Sequence, residues 1–231
     1  MAMSKEEQDR LKMEAAQRAL ALVKPGMAVG LGSGSTATMW IKLLGEKVRD
    51  EGLKIRAIAS SEDSEKLGRS YGIPFTNFEE TKQLDLTVDG ADEVAPGLAL
   101  IKGGGGKLLR EKIVASASKR FVVVVDESKV VEKLGAFPLP VEVIPMAEPL
   151  VSVELKRLGF TPKIRVNKDG SEYITDEGNL ILDCSGMLID DPSAMGKKLD
   201  SIVGVVEHGL FLGYAELVLI AGEGGVVERG R

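Results

Sequence analysis

The sequence predicts an α/β protein with an open, mostly parallel Rossmann-like sheet and helices on both faces, plus a smaller inserted α+β (ferredoxin-like) domain. Short apolar segments alternate with amphipathic segments at helical spacing, which favours parallel strands joined by crossover helices. Polar or glycine-rich residues follow several apolar segments, as in sheets that bind ligands at the carboxyl ends of their strands. Four prolines in FPLPVEVIPMAEP mark the passage into the smaller domain.

The elements of the large sheet follow one another in chain order. A first helix starts at a capping box on Ser4 and ends at Pro25-Gly26. A second helix starts at about Thr36, where Ser and Thr neighbours are natural N-caps. The other predicted elements are the strands MAVGL and KIRAIAS, a helix in SSEDSEKLGRSYGIP, the strands LDLTVDG and LALI, a helix from about Lys107 to Ser118, and the strand FVVVV.

The smaller domain is predicted over residues 135–207, so that residues 1–134 and 208–231 form a discontinuous large domain. The apolar strand AELVLIAG near the C-terminus is expected to return to the first sheet. The smaller domain is predicted to contain the strand VEVI, a helix over 149–158, the strands TPKIRV, EYIT and NLILDC, a helix over 192–202 and the strand VGVVE.

Composition narrows the class of protein. A formal net charge of −5 argues against a nucleic-acid partner. The single cysteine, Cys184, rules out an internal disulfide and favours a reducing compartment. The N-terminal segment is too charged for a signal peptide, and the densest apolar runs are too short to span a bilayer. A soluble cytoplasmic protein with neither a nucleic-acid nor a membrane partner is expected.

Four segments that follow predicted strands carry unusual polar or glycine-rich residues. Because the carboxyl ends of parallel strands meet at one edge of a sheet, we expect the four to lie together. A glycine-rich loop that opens a helix presents free N–H groups and the positive end of the helix dipole, which suits a phosphate. Each segment alone could be a plain turn, so the ligand site is predicted from their convergence. The segments are Gly32-Ser33-Gly34-Ser35-Thr36, Asp89-Gly90-Ala91-Asp92, Lys102-Gly103-Gly104-Gly105-Gly106 and Asp126-Glu127-Ser128-Lys129.

Two standard nucleotide-binding motifs match these segments poorly. A Walker loop ending at Gly106-Lys107 requires glycine at position 101 and Ser or Thr at 108, where the chain has Ile and Leu. A dinucleotide fingerprint starting at Gly30 has Ser35 in place of its third glycine, so NAD remains a weak alternative. A small phosphorylated metabolite fits better, with its phosphate held by residues 33–36 and its carbon chain near Asp89, Asp92, Lys102 and Glu111.

Several motifs in series resemble one known family. In order along the chain they are GSGSTA, DLTVDGADEV, LIKGGGGKLLREKIVA, VVDESK and FPLPVEVIPMA, with weaker echoes in NLILDCSGM and DPSAM. In this order and spacing they closely resemble the A-type ribose-5-phosphate isomerases. The resemblance implies interconversion of ribose 5-phosphate and ribulose 5-phosphate, without cofactor or metal.

The resemblance also implies roles for individual residues. The family's substrate loop falls on Ser33, Gly34, Ser35 and Thr36, and its acidic turn on Asp89, Gly90, Ala91 and Asp92. Its Lys-Gly-Gly-Gly motif falls on Lys102, Gly103, Gly104 and Gly105, its catalytic glutamate on Glu111, and a further substrate-contacting lysine on Lys129. Two positions depart from the family pattern: Ser33 replaces a threonine, and Lys107 stands where small residues are common.

The reaction requires a base that moves a proton between neighbouring carbons and donors that stabilise the intervening enediolate. Glu111 is the predicted base, in the first turns of a helix after the glycine run. Lys102 is a candidate oxyanion partner, and Asp89 or Asp92 could handle hydroxyl protons and ring opening. Considered alone, a glutamate between Arg110 and Lys112 is typical of a solvated helix surface. The prediction that Glu111 is the base therefore depends on the neighbouring motifs.

Other observations complete the prediction. His208, the only histidine, lies outside the four segments, which disfavours histidine catalysis and a histidine-rich metal site. Cys184 is expected to be a small, buried residue. Two rivals remain: a sugar-phosphate-sensing regulator, which would need a DNA-binding segment not seen before the first helix, and a sugar-phosphate lactonase or deaminase. A homodimer or homotetramer acting on a pentose 5-phosphate is expected.

Overall fold

The computed structural model describes residues 5–231, so the capping box predicted at Ser4 lies outside the described residues. The chain divides into two compact units. The first unit comprises the residues up to Ala91, Arg110–Val130 and Gly213–Arg231, and the second comprises Asp92–Leu109 and Val131–Leu212. The domain boundaries predicted after residues 134 and 207 stay a prediction.

Six helices and thirteen strands lie within the described residues. The helices are α1 (Lys5–Leu20), α2 (Ser35–Asp50), α3 (Glu62–Ser70), α4 (Leu108–Ser116), α5 (Glu148–Arg157) and α6 (Pro192–Asp200). The strands are β1 (Ala28–Leu31), β2 (Arg56–Ala59), β3 (Leu86–Asp89), β4 (Glu93–Ala95), β5 (Ala99–Ile101), β6 (Phe121–Asp126), β7 (Leu139–Val143), β8 (Thr161–Ile164), β9 (Leu180–Ser185), β10 (Val205–His208), β11 (Leu210–Phe211), β12 (Ala215–Gly222) and β13 (Gly225–Gly230).

The first unit is built on a six-stranded sheet in the order β13-β12-β6-β3-β1-β2. All neighbouring pairs are parallel except β12 with β13. β6 is buried along its whole length, as its uninterrupted apolar sequence predicts for a strand covered on both faces. Leu11 of α1 and Trp40 of α2 pack in the same core as Val124 of β6. The predicted fold class is confirmed, including the return of AELVLIAG to this sheet as β12.

The second unit contains a four-stranded antiparallel sheet in the order β10-β7-β9-β8 and a three-stranded sheet in the order β11-β5-β4. Val151 and Leu155 of α5 and Leu199 of α6 are buried in one core with β7 and β9. The segment EYIT, predicted as a strand, forms none, and its Glu172 makes only an isolated bridge with Val166.

One strand does not join the sheet that its sequence predicted. LALI forms β5, which pairs antiparallel with β4 in the second unit instead of extending the parallel sheet. Only Pro96–Leu98 separates the two strands, and a parallel pairing needs a crossover of a dozen residues or more. The turn has positive φ at Gly97 (73°) and Leu98 (57°). The dipeptide Pro96-Gly97 was the available signal for this hairpin.

Among the described residues, no helix is both long enough and apolar enough to cross a membrane.

Candidate active site

Three of the four predicted segments lie at one edge of the six-stranded sheet. β6, β3 and β1 are neighbours and parallel, so the residues after Asp126, Asp89 and Leu31 meet at their carboxyl ends. The fourth segment, Lys102 to Gly106, follows β5 in the second unit. The expectation that all four follow strands of one parallel sheet is therefore wrong, because β5 belongs to a hairpin.

Asp89 connects two of these segments. Its side chain is buried, and Oδ1 accepts the backbone N–H of Ser33 at 2.9 Å and that of Gly90 at 2.8 Å. Gly32 makes this approach possible, since a Cβ at that position would overlap the Asp89 carboxyl group. One buried carboxylate thus holds the loop after β1 against the end of β3.

The loop after β1 leads into the N-terminus of α2. Gly34 occupies the N-cap position with φ 89° and has no side chain with which to cap the helix. Gly34 and Ser35 are exposed, whereas Thr36 is buried in the first turn. The N–H groups of this turn and the helix dipole form the kind of environment that binds phosphate. Ala91, at the end of the Asp89 segment, is half-buried.

Three serines that the sequence analysis missed hold the same loop. The hydroxyl of Ser33 lies 2.8 Å from that of Ser60 and donates to Ser61 Oγ at 2.9 Å. Ser64 donates to the carbonyl of Gly32 at 2.7 Å. Their signal was the run SSEDS directly after β2, the strand that neighbours β1 in the sheet. Because its hydroxyl is engaged by serines, we expect Ser33 to shape the loop through its side chain.

Glu111 is buried despite its charged neighbours. It lies in the first turn of α4, and only 6% of its surface is exposed. Lys112 beside it is also buried. The three charged residues Arg110-Glu111-Lys112, considered alone, would indicate a solvated position, so the burial of Glu111 differs from that expectation. A buried carboxylate at the start of a helix is suited to proton transfer. Lys129 is half-buried in the short 3₁₀ turn after β6, which Asp126 caps by accepting the N–H of Ser128.

In the second unit, Asp92 and Lys102 flank the glycine run. Asp92 Oδ2 accepts the N–H of Gly104 at 2.7 Å. Lys102 is buried, with its Nζ 5.6 Å from the centroid of the Phe211 ring. Gly103 and Gly106 have φ of 99° and 79°, a backbone region that residues other than glycine rarely adopt. The acidic turn and the glycine run therefore touch through a backbone amide.

Gly104 and Gly105 have different reasons to be glycine. A Cβ on Gly104 would lie 2.6 Å from Asp92 Oδ1 and 2.9 Å from the Phe137 ring. A Cβ on Gly105 would meet no heavy atom of the described residues within 4 Å, and its φ is not positive. Lys107, whose role the sequence left open, pairs with Asp176 at 2.5 Å, and both side chains are largely buried.

One group of described side chains has residue types and spacing that could hold a metal ion: Asp200, Glu207 and His208. Leu210 donates its backbone N–H to His208 Nδ1 at 3.2 Å. With Nδ1 as the acceptor of this bond, Nε2 is the donor nitrogen of the ring, and it faces Asp200 Oδ1 at 3.2 Å. A metal ion at Nε2 would have to displace the proton on this nitrogen.

Cys184 is buried in the core of the second unit. Burial is the main cause that raises the pKa of its thiol to about 12, and the charge of Asp183 adds to it. A thiol with this pKa is not a nucleophile at neutral pH.

Comparison with known proteins identifies the family. Residues 56–225 match the family model described as ribose 5-phosphate isomerase A (phosphoriboisomerase A). The chain is 49% identical over 214 residues to ribose-5-phosphate isomerase A 1 of Oceanobacillus iheyensis, and the aligned region covers 93% of this chain and 95% of that protein. The chain belongs to the ribose 5-phosphate isomerase A family. The family relationship and the isomerase class predicted from the sequence are confirmed.

Solved members of the family share the fold. The ribose 5-phosphate isomerase A from Methanocaldococcus jannaschii is 42% identical, with a TM-score of 0.92 over 96% of this chain and 99% of that one. A D-ribose-5-phosphate isomerase solved in complex with phospho-erythronic acid is 37% identical, with a TM-score of 0.94 over 97% of this chain and 99% of that one.

Proposed function

We propose that this chain interconverts D-ribose 5-phosphate and D-ribulose 5-phosphate by proton transfer through an enediolate, with Glu111 as the carbon base. The observation that carries the proposal is the burial of Glu111 in the first turn of α4, immediately after the glycine run. The family relationship supports the choice of substrate. The hydrogen bonds that Asp89 and Asp92 accept from Ser33 and Gly104 support their proposed roles in ring opening and hydroxyl proton transfer.

The substrate phosphate binds at the loop of Ser33 to Thr36 and the first turn of α2. Exposed backbone N–H groups at a helix N-terminus can bind a dianionic phosphate even where no cationic side chain assists them. Lys129, in the 3₁₀ turn after β6, supplies an ammonium group for a substrate oxygen.

The reaction moves one carbon-bound proton and one hydroxyl proton. The carboxylate of Glu111 takes the proton from C2 of the open-chain aldose, and the electron pair of that bond forms the C1–C2 double bond of the enediolate. Lys102 and glycine-run amides stabilise the charge on O1. Asp89 or Asp92 assists ring opening and transfers the O2 proton towards O1, and Glu111 returns its proton to C1, which leaves the carbonyl at C2.

The decisive experiment measures interconversion of the two sugars by the purified protein and by Glu111→Gln. The variant keeps shape and hydrogen bonding but cannot accept a proton, so kcat should fall by about 10²–10⁴-fold while substrate still binds. Glu46→Gln, on the exposed surface of α2, is the matched control and should keep wild-type kcat. A fully active Glu111→Gln would remove Glu111 from the mechanism.

A second experiment tests the enediolate itself. In D₂O, a proton held on Glu111 exchanges with solvent before it is returned, so product isolated at low conversion should carry deuterium at C1 or C2. A direct hydride shift leaves both carbons without deuterium. Deuterium absent even after prolonged equilibration of both sugars would contradict the enediolate.

Three further predictions accompany this proposal. The chain is expected to act in the non-oxidative pentose phosphate pathway, in the cytoplasm, and as a homodimer or homotetramer. Light scattering on the purified protein, over a range of concentrations, distinguishes the two oligomers.

A further inference from the structure

Arg165, far from the predicted site residues in the sequence, binds the glycine run directly. It follows β8, and its Nη1 donates to the carbonyl of Gly103 at 2.9 Å and to that of Gly104 at 3.1 Å. Its Nε and Nη2 donate to the two carboxylate oxygens of Asp183 on β9. The Arg165 side chain is 12% exposed, so these bonds form largely out of water.

Tyr173 supports the same arrangement. The Arg165 guanidinium lies 5.9 Å from the centroid of the Tyr173 ring, and the Tyr173 hydroxyl donates to the carbonyl of Gly105 at 3.4 Å. The backbones of Arg165 and Tyr173 are also joined, since the Tyr173 N–H donates to the Arg165 carbonyl at 2.9 Å. Three successive carbonyls of the glycine run are therefore held by two side chains that support each other.

The carbonyl bonds determine where the amides of the run point. In a planar trans peptide, the C=O of one residue and the N–H of the next point in opposite directions. Because Arg165 holds the Gly103 carbonyl, the Gly104 N–H points away from Arg165, and it meets Asp92. Because Arg165 also holds the Gly104 carbonyl, the N–H of Gly105 points away from it too. Gly105 is exposed, and residues 5–231 offer its N–H no acceptor.

We propose that Arg165 is a positioning residue for the isomerisation: by anchoring the Gly103 and Gly104 carbonyls to Asp183, it aims the Gly105 N–H at a substrate oxygen. This inference rests on the proposed function, because an oxygen that gains charge in the enediolate is what this amide would stabilise. Arg165 does not touch the substrate in this proposal. It acts through the orientation of two peptide planes.

Arginine suits this task better than lysine does. The planar guanidinium presents separate N–H groups to the Asp183 carboxylate and to the carbonyls at the same time. A lysine ammonium is a single point on a flexible stem, so it can keep the charge but not the fixed geometry. Arg165→Lys therefore separates orientation from charge.

The test compares Arg165→Lys with Arg157→Lys, an exposed arginine of the same unit that pairs with Glu154. A misplacement of the donor by ~1 Å should lower kcat of Arg165→Lys by about 10²-fold, with KM changed much less. Arg157→Lys should keep wild-type kcat and KM. Wild-type kcat in a folded Arg165→Lys overturns the proposal, and so does a rise in KM with unchanged kcat.

A second variant covers the case in which Arg165→Lys does not fold. Asp183→Asn leaves the carbonyl bonds of Arg165 in place but weakens its anchor, so kcat should fall by about tenfold. In that case, wild-type kcat for Asp183→Asn overturns the proposal.

A spectroscopic readout separates this inference from the proposed function. If the wild type and Arg157→Lys both fail to convert ribose 5-phosphate, the proposed function is wrong. Whether Arg165 orients the glycine run is then tested with the ¹⁵N–¹H amide resonances of Gly103 to Gly105. Shifts in Arg165→Lys that are absent from Arg157→Lys support it, and an unchanged spectrum overturns it.

Discussion

The backbone N–H of Ser33 donates to the buried Oδ1 of Asp89 at 2.9 Å, which ties the loop after β1 to the end of the neighbouring strand β3. The same oxygen accepts the N–H of Gly90. A side chain that we propose for hydroxyl proton transfer therefore also shapes the loop proposed to bind phosphate. Structure and chemistry at Asp89 can be separated by substitution.

Asp89→Asn is expected to keep the fold and lose activity. The Asn carbonyl oxygen can accept both amides, so unfolding free energy should fall by about 1 kcal/mol, the difference between hydrogen bonds to charged and neutral acceptors. The loss of a proton-transferring group should lower kcat by about 10²-fold. Urea unfolding and steady-state kinetics measure the two effects.

Asp85→Asn is the matched control for Asp89→Asn. Asp85 precedes β3 and accepts the N–H of Ala28 at 2.9 Å. Its substitution therefore also weakens a hydrogen bond that a backbone amide donates to a carboxylate. It should lose comparable stability with normal kcat. Equal kinetic effects from the two variants would contradict a chemical role for Asp89.

Thr36→Val tests the position of the phosphate. Thr36 lies in the first turn of α2, and valine keeps its shape but loses the hydroxyl. Loss of one hydrogen bond to a charged group should raise KM by about tenfold, with kcat lowered less. Thr38→Val, further along the helix, should leave KM unchanged. An unchanged KM in Thr36→Val would place the phosphate elsewhere.

Gly105→Ala tests whether ligand approaches the glycine run. A Cβ at this position meets nothing within 4 Å among the described residues, and its φ is not positive, so the melting temperature should be kept. A substrate oxygen at the Gly105 N–H would collide with the new methyl group, and kcat/KM should fall by about tenfold or more. Gly224→Ala, equally open, should leave both quantities unchanged. Wild-type kcat/KM in Gly105→Ala would mean that substrate does not approach this backbone.

Activity is expected to survive exhaustive chelation. The acidic residues at the strand ends are proposed to transfer protons, and this role does not need a metal ion. The measurement is the isomerase rate after dialysis against EDTA. A rate lost on chelation and restored by one divalent ion would overturn this expectation.

Glu142→Gln is expected to stabilise the fold at neutral pH. Burial is the main cause that raises the pKa of Glu142, and hydrogen bonds from Asn179 and Thr175 oppose it. A carboxyl with a raised folded pKa stabilises the fold fully below its unfolded pKa, and this contribution is lost as pH rises through the folded pKa. The glutamine carbonyl can still accept the bonds from Asn179 and Thr175 and does not titrate.

The check for Glu142→Gln is urea unfolding at about pH 4 and about pH 7.5, either side of the range in which a buried glutamate titrates. The variant should gain stability over the wild type only at the higher pH. Glu172→Gln, on an exposed side chain, should show no such dependence. The same stability difference at both pH values would contradict a burial cost at Glu142.

The sequence by itself determined the family and most elements of the large sheet, although it missed β13 and wrongly added β5. Apolar runs such as β6 and the helical spacing of α1 and α2 are local patterns, and buried strands and helices follow from them. The motifs around Ser33, Asp89 and Glu111 are contiguous in the chain, so they could be recognised without knowing where they lie. The burial of the chain's single cysteine could also be expected from its residue type.

Only the tertiary structure decided which distant residues serve these motifs. Arg165 reaches Gly103 across 62 positions of the chain, and Ser33 meets Ser60 because β1 and β2 are neighbours in the sheet. Neither pairing has a local signature, since strand order and packing are set by long-range contacts. For the same reason Glu111, although flanked by charges, is buried instead of solvated. The hairpin of β4 and β5 is different, because it is a local pairing whose signal, Pro96-Gly97, was present in the sequence.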